Sequence, residues 1–68
     1  MKDIPFSEIK KETLVMIEKI KASDRERGAY LERHIVFDDK NEMMAYTGDA
    51  ETIDAIIKKS IYDIAVNS

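Results

Sequence analysis

Residues 29–47 read AYLERHIVFDDKNEMMAYT, and this stretch decides the fold class. Over residues 31–37, apolar and polar positions alternate with the period of a β-strand. Turn-forming residues fill positions 38–41, and a second apolar run covers 43–47. The pattern predicts a β-hairpin that starts near Tyr30. Its alternation sets Leu31, Ile35 and Phe37 against Glu32, His34 and Val36.

The residues before this stretch leave a second interpretation open. Ser23-Asp24-Arg25-Glu26 matches the capping box found at the start of many helices. A short helix could therefore run as far as Arg33, and the hairpin would then begin later. The prediction is the hairpin from Tyr30, with the helix as its alternative.

Helical periodicity flanks the hairpin on both sides. A first amphipathic helix spans 6–22, with Pro5 ahead of it and Ser7 as candidate N-cap. A last helix runs from Ala50 to about Val66 and is capped by Gly48-Asp49. The predicted core stripes are Phe6, Ile9, Thr13, Met16, Ile17 and Ile20 in the first helix, and Ala50, Ile53, Ile56, Ile57, Ser60, Ile61, Ile64 and Ala65 in the last.

These elements predict a small α+β fold, a single domain over residues 1–68 with the order α-β-β-α and two helices packed on a β-hairpin. Ordering so short a chain costs on the order of 100 kcal/mol, which its own core barely offsets. The sequence has no cysteine and one histidine, which excludes disulfides and disfavours a structural zinc site. We therefore expect dimerisation to complete the fold, for example by joining two hairpins into one sheet.

Both helices carry apolar residues outside their core stripes. A helix buried on one face does not need a second apolar line, so these positions indicate an interface, with self-association favoured over a foreign partner. One of the adjacent Met43 and Met44 should also point away from the helices. The candidate interface residues are Leu14, Val15, Met44, Tyr46, Ala55, Tyr62 and Val66.

Charge is unevenly spread along the chain, whose net charge is −3. An acidic patch could dock onto the basic surface of a larger protein, although a solvated turn and ordinary helix-start charges explain it as well. A basic corner could contact nucleic acid or another anion, but neighbouring acids neutralise most of it. The acidic residues are Asp38, Asp39, Glu42, Asp49 and Glu51, and the basic residues are Lys10, Lys21, Arg25, Arg27 and Arg33.

Catalysis is the function class with least support in the sequence. There is no cysteine nucleophile, phosphate-binding glycine loop, H-E-x-x-H motif or calcium loop. His34 is interpreted as a half-exposed strand residue and not as a general base. No cofactor or metal is expected. The run Met1 to Pro5 does not resemble an export leader, and no apolar stretch is long enough to cross a bilayer, so a cytoplasmic protein is expected.

The sequence therefore favours a non-enzymatic protein-interaction module, a homodimer that acts as an inhibitor or adaptor of a larger protein. A small nucleic-acid-binding regulator that uses the basic corner is the alternative. A binder of a small charged ligand, held between protomers and lined by arginines, is the third hypothesis.

Overall fold

The computed structural model describes residues 4–67. Residues 1–3, which belong to the run that does not resemble an export leader, lie outside this range. The chain forms α1 (Phe6–Ser23), α2 (Arg25–His34), β1 (Ile35–Asp38), β2 (Met43–Tyr46) and α3 (Ala50–Asn67). The α+β class and the β-hairpin are confirmed. Between residues 4 and 67 there are three helices and not the two predicted.

The additional helix, α2, replaces the predicted start of the hairpin. Its first turn is capped by Asp24, whose carboxylate accepts a hydrogen bond from the Arg27 N–H at 3.2 Å. Leu31 is completely buried, and it precedes Ile35 by four residues. Residues four apart lie on the same side of a helix and also on the same side of a strand, so this spacing does not distinguish the two. The strand begins at Ile35, and His34 is the last helical residue. The alternative of a short helix is confirmed, but its cap is Asp24 and not Ser23 of the proposed capping box, because Ser23 is the last residue of α1.

The caps of the other two helices differ in type. Pro5 occupies the N-cap position of α1 without a side-chain bond, so the prediction of Ser7 as cap was wrong. Its carbonyl accepts from the N–H groups of Glu8 and Ile9. Asp49 caps α3 as predicted, because its carboxylate accepts from the Glu51 N–H and the Thr52 hydroxyl. Both hydrogen bonds lower the pKa of Asp49, and the bond from Thr52 has the larger effect.

The two strands pair antiparallel, with Ile35 opposite Tyr46 and Asp38 opposite Met43. The tight connection is held by Asp38, whose carboxylate accepts bonds from the backbone N–H and the side-chain amide of Asn41. Glu42 closes the turn in the left-handed region, with φ of 53°. The hairpin face toward the helices carries Ile35, Phe37, Met44 and Tyr46, and the outer face carries Val36, Met43 and Ala45.

Every element except β2 contributes to the buried apolar core. Half-buried Met16, Tyr30, Phe37, Ile56 and Ile64 surround it. The predicted stripes supply most of these residues, but four predicted core positions are exposed: Ile9, Ala50, Ile61 and Ala65. The buried members within the described chain are Ile17, Ile20, Leu31, Ile35 and Ile53.

Helices α1 and α2 come into close contact where Gly28 of α2 faces Lys21 of α1. A Cβ atom at position 28 would overlap the Cα and Cβ atoms of Lys21, so the backbones meet with no room for a side chain. This proximity brings Leu31 of α2 to Ile17 and Ile20 of α1. Glycine is therefore required at this helical position despite its low helix propensity.

Gly28→Ala should destabilise the protein by about 2 kcal/mol, since overpacking outweighs the roughly 1 kcal/mol that alanine gains in an open helix. Urea unfolding followed by circular dichroism measures the change. Glu26→Ala, at an exposed position of the same helix, should change stability by less than about 0.5 kcal/mol. A Gly28→Ala protein more stable than wild type would contradict the close contact.

Removal of the Ser60 hydroxyl in α3 should stabilise the protein, whereas Gly28→Ala should destabilise it. The Ser60 side chain is 2% exposed, and its Oγ has no hydrogen-bond partner among residues 4–67. Because an unpaired buried hydroxyl costs free energy, Ser60→Ala should stabilise the fold by about 1 kcal/mol and raise the Tm by roughly 4–8 °C. Calorimetry of Ser7→Ala, which removes an exposed helical hydroxyl, gives the control. Equal effects of the two substitutions would contradict the unpaired state of Ser60.

Candidate protein-interaction surface

An open groove of about 340 Å³ runs between α1 and α3. Its floor contains Ile20 of the core and the half-buried Met16 and Ile64. The rims are mixed, with apolar side chains beside one acid and one base of α1. The lining residues are Glu12, Val15, Met16, Lys19, Ile20, Ile61, Ile64 and Ala65.

The apolar character of the groove continues onto the outer surface of α1. A second, shallower depression is lined by Leu14, Val15 and Ala22, and it shares Val15 and Lys19 with the groove. Leu14, Val15 and Ile61 expose 44%, 46% and 50% of their surface. We call the surface formed by Leu14, Val15, Met16 and Ile61 the groove face.

The apolar line predicted on the last helix lies on the outer side of α3. Tyr62 follows the buried Ile53 by nine residues, which is two and a half turns and places it on the opposite side. Tyr62 and Val66 are 63% and 61% exposed, and Ala55 is exposed beside them. The Lys59 ammonium lies 5.7 Å from the centre of the Tyr62 ring. These residues flank the groove and do not line it.

Met44 and Tyr46, the two hairpin residues in the predicted interface, face the helices. The Thr13 hydroxyl contacts the Met44 sulfur at 3.7 Å, and the Tyr46 hydroxyl donates to Asp54 at 3.1 Å. Burial is the main cause that raises the pKa of Tyr46, and the hydrogen bond to Asp54 raises it further. The methionine that points outward is Met43, which is 59% exposed on the outer face of the hairpin.

The acidic residues form two groups at opposite ends of the hairpin. Asp38, Asp39 and Glu42 lie at its turn, and Asp49 and Glu51 begin α3, roughly 13 Å away along strands of four residues. Both aspartates of the turn are engaged. Asp39 pairs with Lys10 of α1 at 2.9 Å, and the side-chain amide of Asn41 lowers the pKa of Asp38.

The structure does not gather the basic residues into one free surface. Lys10 is paired with Asp39, and Lys21 pairs with Glu32 at 3.4 Å. Arg27 contacts Asp24 at 3.4 Å and donates to Asp63 of α3 at 2.8 Å. Arg25 and Arg33 are exposed on α2. Three of the five predicted contacts to nucleic acid or a charged ligand are therefore occupied by internal ion pairs.

His34 connects α2 to the end of the hairpin. Its Nδ1–H donates to the carbonyl of Thr47 at 2.6 Å, and the Thr47 N–H donates back to the His34 carbonyl at 2.8 Å. The imidazole ring also packs against Tyr30, with ring centres 4.3 Å apart. Thr47 precedes Gly48, whose φ of 108° turns the chain toward α3. In this structure His34 is a structural contact between elements.

Within residues 4–67, no three His, Cys, Asp or Glu side chains are placed to hold a metal ion. The helices of the same range include none with the length and apolar content needed to traverse a bilayer. Comparison with other proteins yields no matching family model, no matching curated sequence and no matching solved structure. The groove face is therefore the feature of the molecule that bears on function.

Sequence reasoning predicted Val15 as an interface residue, placed Ile61 in the core, and missed Glu12 and Lys19 of the groove lining. The last helix has an apolar stripe from Ile56 to Ala65 that covers about half of its circumference, which is wider than one packing face needs. That excess width is the signal that one edge of the stripe remains exposed. The roles of Glu12 and Lys19 depend on the position of α3 beside α1, which periodicity does not give.

The ion pair of Arg27 and Asp63 should make stability depend on pH. The Arg27 bond, with help from Lys59, lowers the pKa of Asp63 below its ordinary 3.8. The ionised Asp63 carboxylate therefore contributes its full share of the folding stability above about pH 4. This contribution is lost as the pH falls through the lowered pKa that Asp63 has in the folded protein. Asp63→Asn should lower the Tm at pH 7, and its difference from wild type should narrow in acid.

Thermal unfolding between pH 7 and pH 2 tests this dependence. Glu18→Gln provides the control, since Glu18 is an exposed carboxyl of α1 with no ion pair among residues 4–67. The Glu18 variant should follow the wild-type profile. An Asp63→Asn difference that stays constant from pH 7 to pH 2 would contradict the assigned ion pair.

Proposed function

We propose that this protein is a non-enzymatic protein-interaction module that works as a homodimer through its groove face, as an inhibitor or adaptor of a larger protein. The observation that carries the proposal is the apolar groove between α1 and α3, bordered by Leu14, Val15 and Ile61. Contiguous exposed apolar surface of this kind marks association sites. The expected occupant is a second copy of the chain.

The exposed area supports a second copy as the occupant. The chain exposes 5310 Å², whereas a compact monomer of 7.8 kDa exposes about 4,400 Å². The excess, about 900 Å², is close to the roughly 800 Å² that each partner buries in a standard interface. Part of it belongs to residues such as Ile4, which is 66% exposed, and the groove face supplies a continuous share.

The small core points in the same direction. Within residues 4–67 five apolar side chains are buried, and ten large apolar side chains are exposed. Burying a side chain such as Val or Ile contributes about 1.5–3 kcal/mol, so covering Val15 and Ile61 on both copies adds stability that the monomer lacks. Association through the groove face therefore offsets the small interior.

The proposed role toward a larger protein depends on the surfaces that remain exposed when two copies associate through the groove face. The outer side of α3 keeps Tyr62 and Val66 exposed, and the acidic ends of the hairpin stay in solvent. Residues 35–52 carry five acids against Lys40 alone, so the fitting partner has a basic surface. The inhibitor or adaptor role and a cytoplasmic location follow as parts of this proposal.

Val15→Glu should convert the dimer to a monomer or raise its Kd at least tenfold, because two charges would be buried in the apolar contact. Val36→Glu is the matched control: the same substitution at 42% exposure, on the outer face of the hairpin. Sedimentation velocity at micromolar concentration, with circular dichroism to verify folding, compares both with wild type. Tyr62→Glu should sediment as wild type does.

The pattern of losses identifies the interface. If Val36→Glu dissociates the dimer and Val15→Glu does not, the copies associate through the hairpin instead. If only Tyr62→Glu abolishes dimerisation, the two copies contact each other through the outer side of α3. A wild-type protein that stays monomeric at about 100 μM would overturn the homodimer itself.

A further inference from the structure

Beside the groove face, the groove is lined by two charges of opposite sign that have no ion-pair partner in the described part of the chain. Glu12 and Lys19 both line the groove, both are exposed, and neither forms an ion pair with any residue between 4 and 67. They lie seven residues apart on one side of α1, about 10 Å along the helix axis, which is too far for them to pair with each other.

Their helical neighbours offer them no partner either. Side chains interact along a helix at spacings of three and four residues. Glu12 has Glu8, Ile9, Val15 and Met16 at those spacings, and Lys19 has Val15, Met16, Ala22 and Ser23. Glu8 and Glu18 have bases three residues away, Lys11 and Lys21, although Lys21 pairs with Glu32. Glu12 and Lys19 are the two charges that line the groove between α1 and α3, and both remain without an ion pair within residues 4–67.

We propose that two copies pair through α1 in antiparallel orientation about a two-fold axis between Val15 and Met16, so that Glu12 of each copy meets Lys19 of the other. The inference rests on the proposed homodimer and defines its register. The midpoint of positions 12 and 19 is 15.5, so a two-fold axis there brings each acid level with the partner's base. The axis passes through the apolar centre of the groove face.

Charge complementarity selects this arrangement over the parallel one. A parallel pair related by an axis along α1 sets Glu12 against Glu12 of the partner and Lys19 against Lys19 of the partner, and both contacts are repulsive. The antiparallel pair forms two equivalent ion pairs, since a two-fold interface repeats every contact. These pairs sit at the rim, where electrostatics mainly determines orientation and partner choice. Val15, Met16 and Ile61 supply the apolar contact between them.

The register predicts that two defective variants rescue each other. In Glu12→Lys, both ion pairs become contacts between two lysines, and in Lys19→Glu both become contacts between two glutamates. Each variant alone should show a dimer Kd raised roughly tenfold or more at low salt. In an equimolar mixture, the base introduced by Glu12→Lys in one copy meets the acid introduced by Lys19→Glu in the other, and the second pair is the native one. The mixture should therefore associate about as tightly as wild type.

Fluorescence energy transfer between separately labelled variants measures this recovery at low salt, and 1 M NaCl should reduce it. Glu26→Lys and Lys58→Glu make the same charge changes at exposed positions outside the groove lining. They should associate as wild type does, alone and mixed. The double variant Glu12→Lys/Lys19→Glu should pair with itself and discriminate against wild type.

The possible outcomes separate the register from the homodimer. If wild type dimerises and the single variants do so equally well, the register is wrong and the homodimer stands. If the single variants fail and the mixture does not recover, the two charges are not opposite each other and the register is also wrong. If wild type is monomeric at about 100 μM, both the register and the homodimer are overturned.

Discussion

The close contact of α2 with α1 at Gly28 controls how much interior this chain can build. Without a side chain at that position, α2 lies against the backbone of Lys21 and directs Leu31 into the core. The chain then enters β1 at Ile35, and α3 closes the remaining side with Ile53 and the small Ser60. An interior built this way is tight and small, and it leaves the seam between α1 and α3 incompletely filled.

Two kinds of contact fix the hairpin relative to the helices. At its turn, the Lys10 ammonium pairs with Asp39 and lies 5.6 Å from the centre of the Phe37 ring. At its base, the reciprocal bonds of His34 and Thr47 join the end of α2 to the end of β2. A surface ion pair alone contributes less than about 1 kcal/mol, so apolar contacts such as that of Phe6 with Phe37 do most of the fixing.

The sequence predicted the α+β class, the hairpin turn and the whole of α3, because their signals are local. It failed at residues 29–34, where Leu31 and Ile35 fit either period. The deciding factor there is tertiary: a polar segment containing Gly28 becomes helical because Asp24 caps it and Leu31 packs against α1. Periodicity also indicated the exposure of Leu14, Val15, Tyr62 and Val66. Which of them share a surface depends on how α3 lies beside α1, and no pattern along the chain contains that.

The position of the groove has a consequence for how the protein folds. Consecutive elements are neighbours in space throughout α1, α2, β1 and β2, so these contacts form with little loop-closure cost. The return of α3 to α1 and α2 is a junction between parts of the chain that are far apart in sequence, and the groove lies along it. A second molecule seated there would hold that junction closed. Assembly and folding would then be thermodynamically linked, and the unfolding temperature would rise with protein concentration.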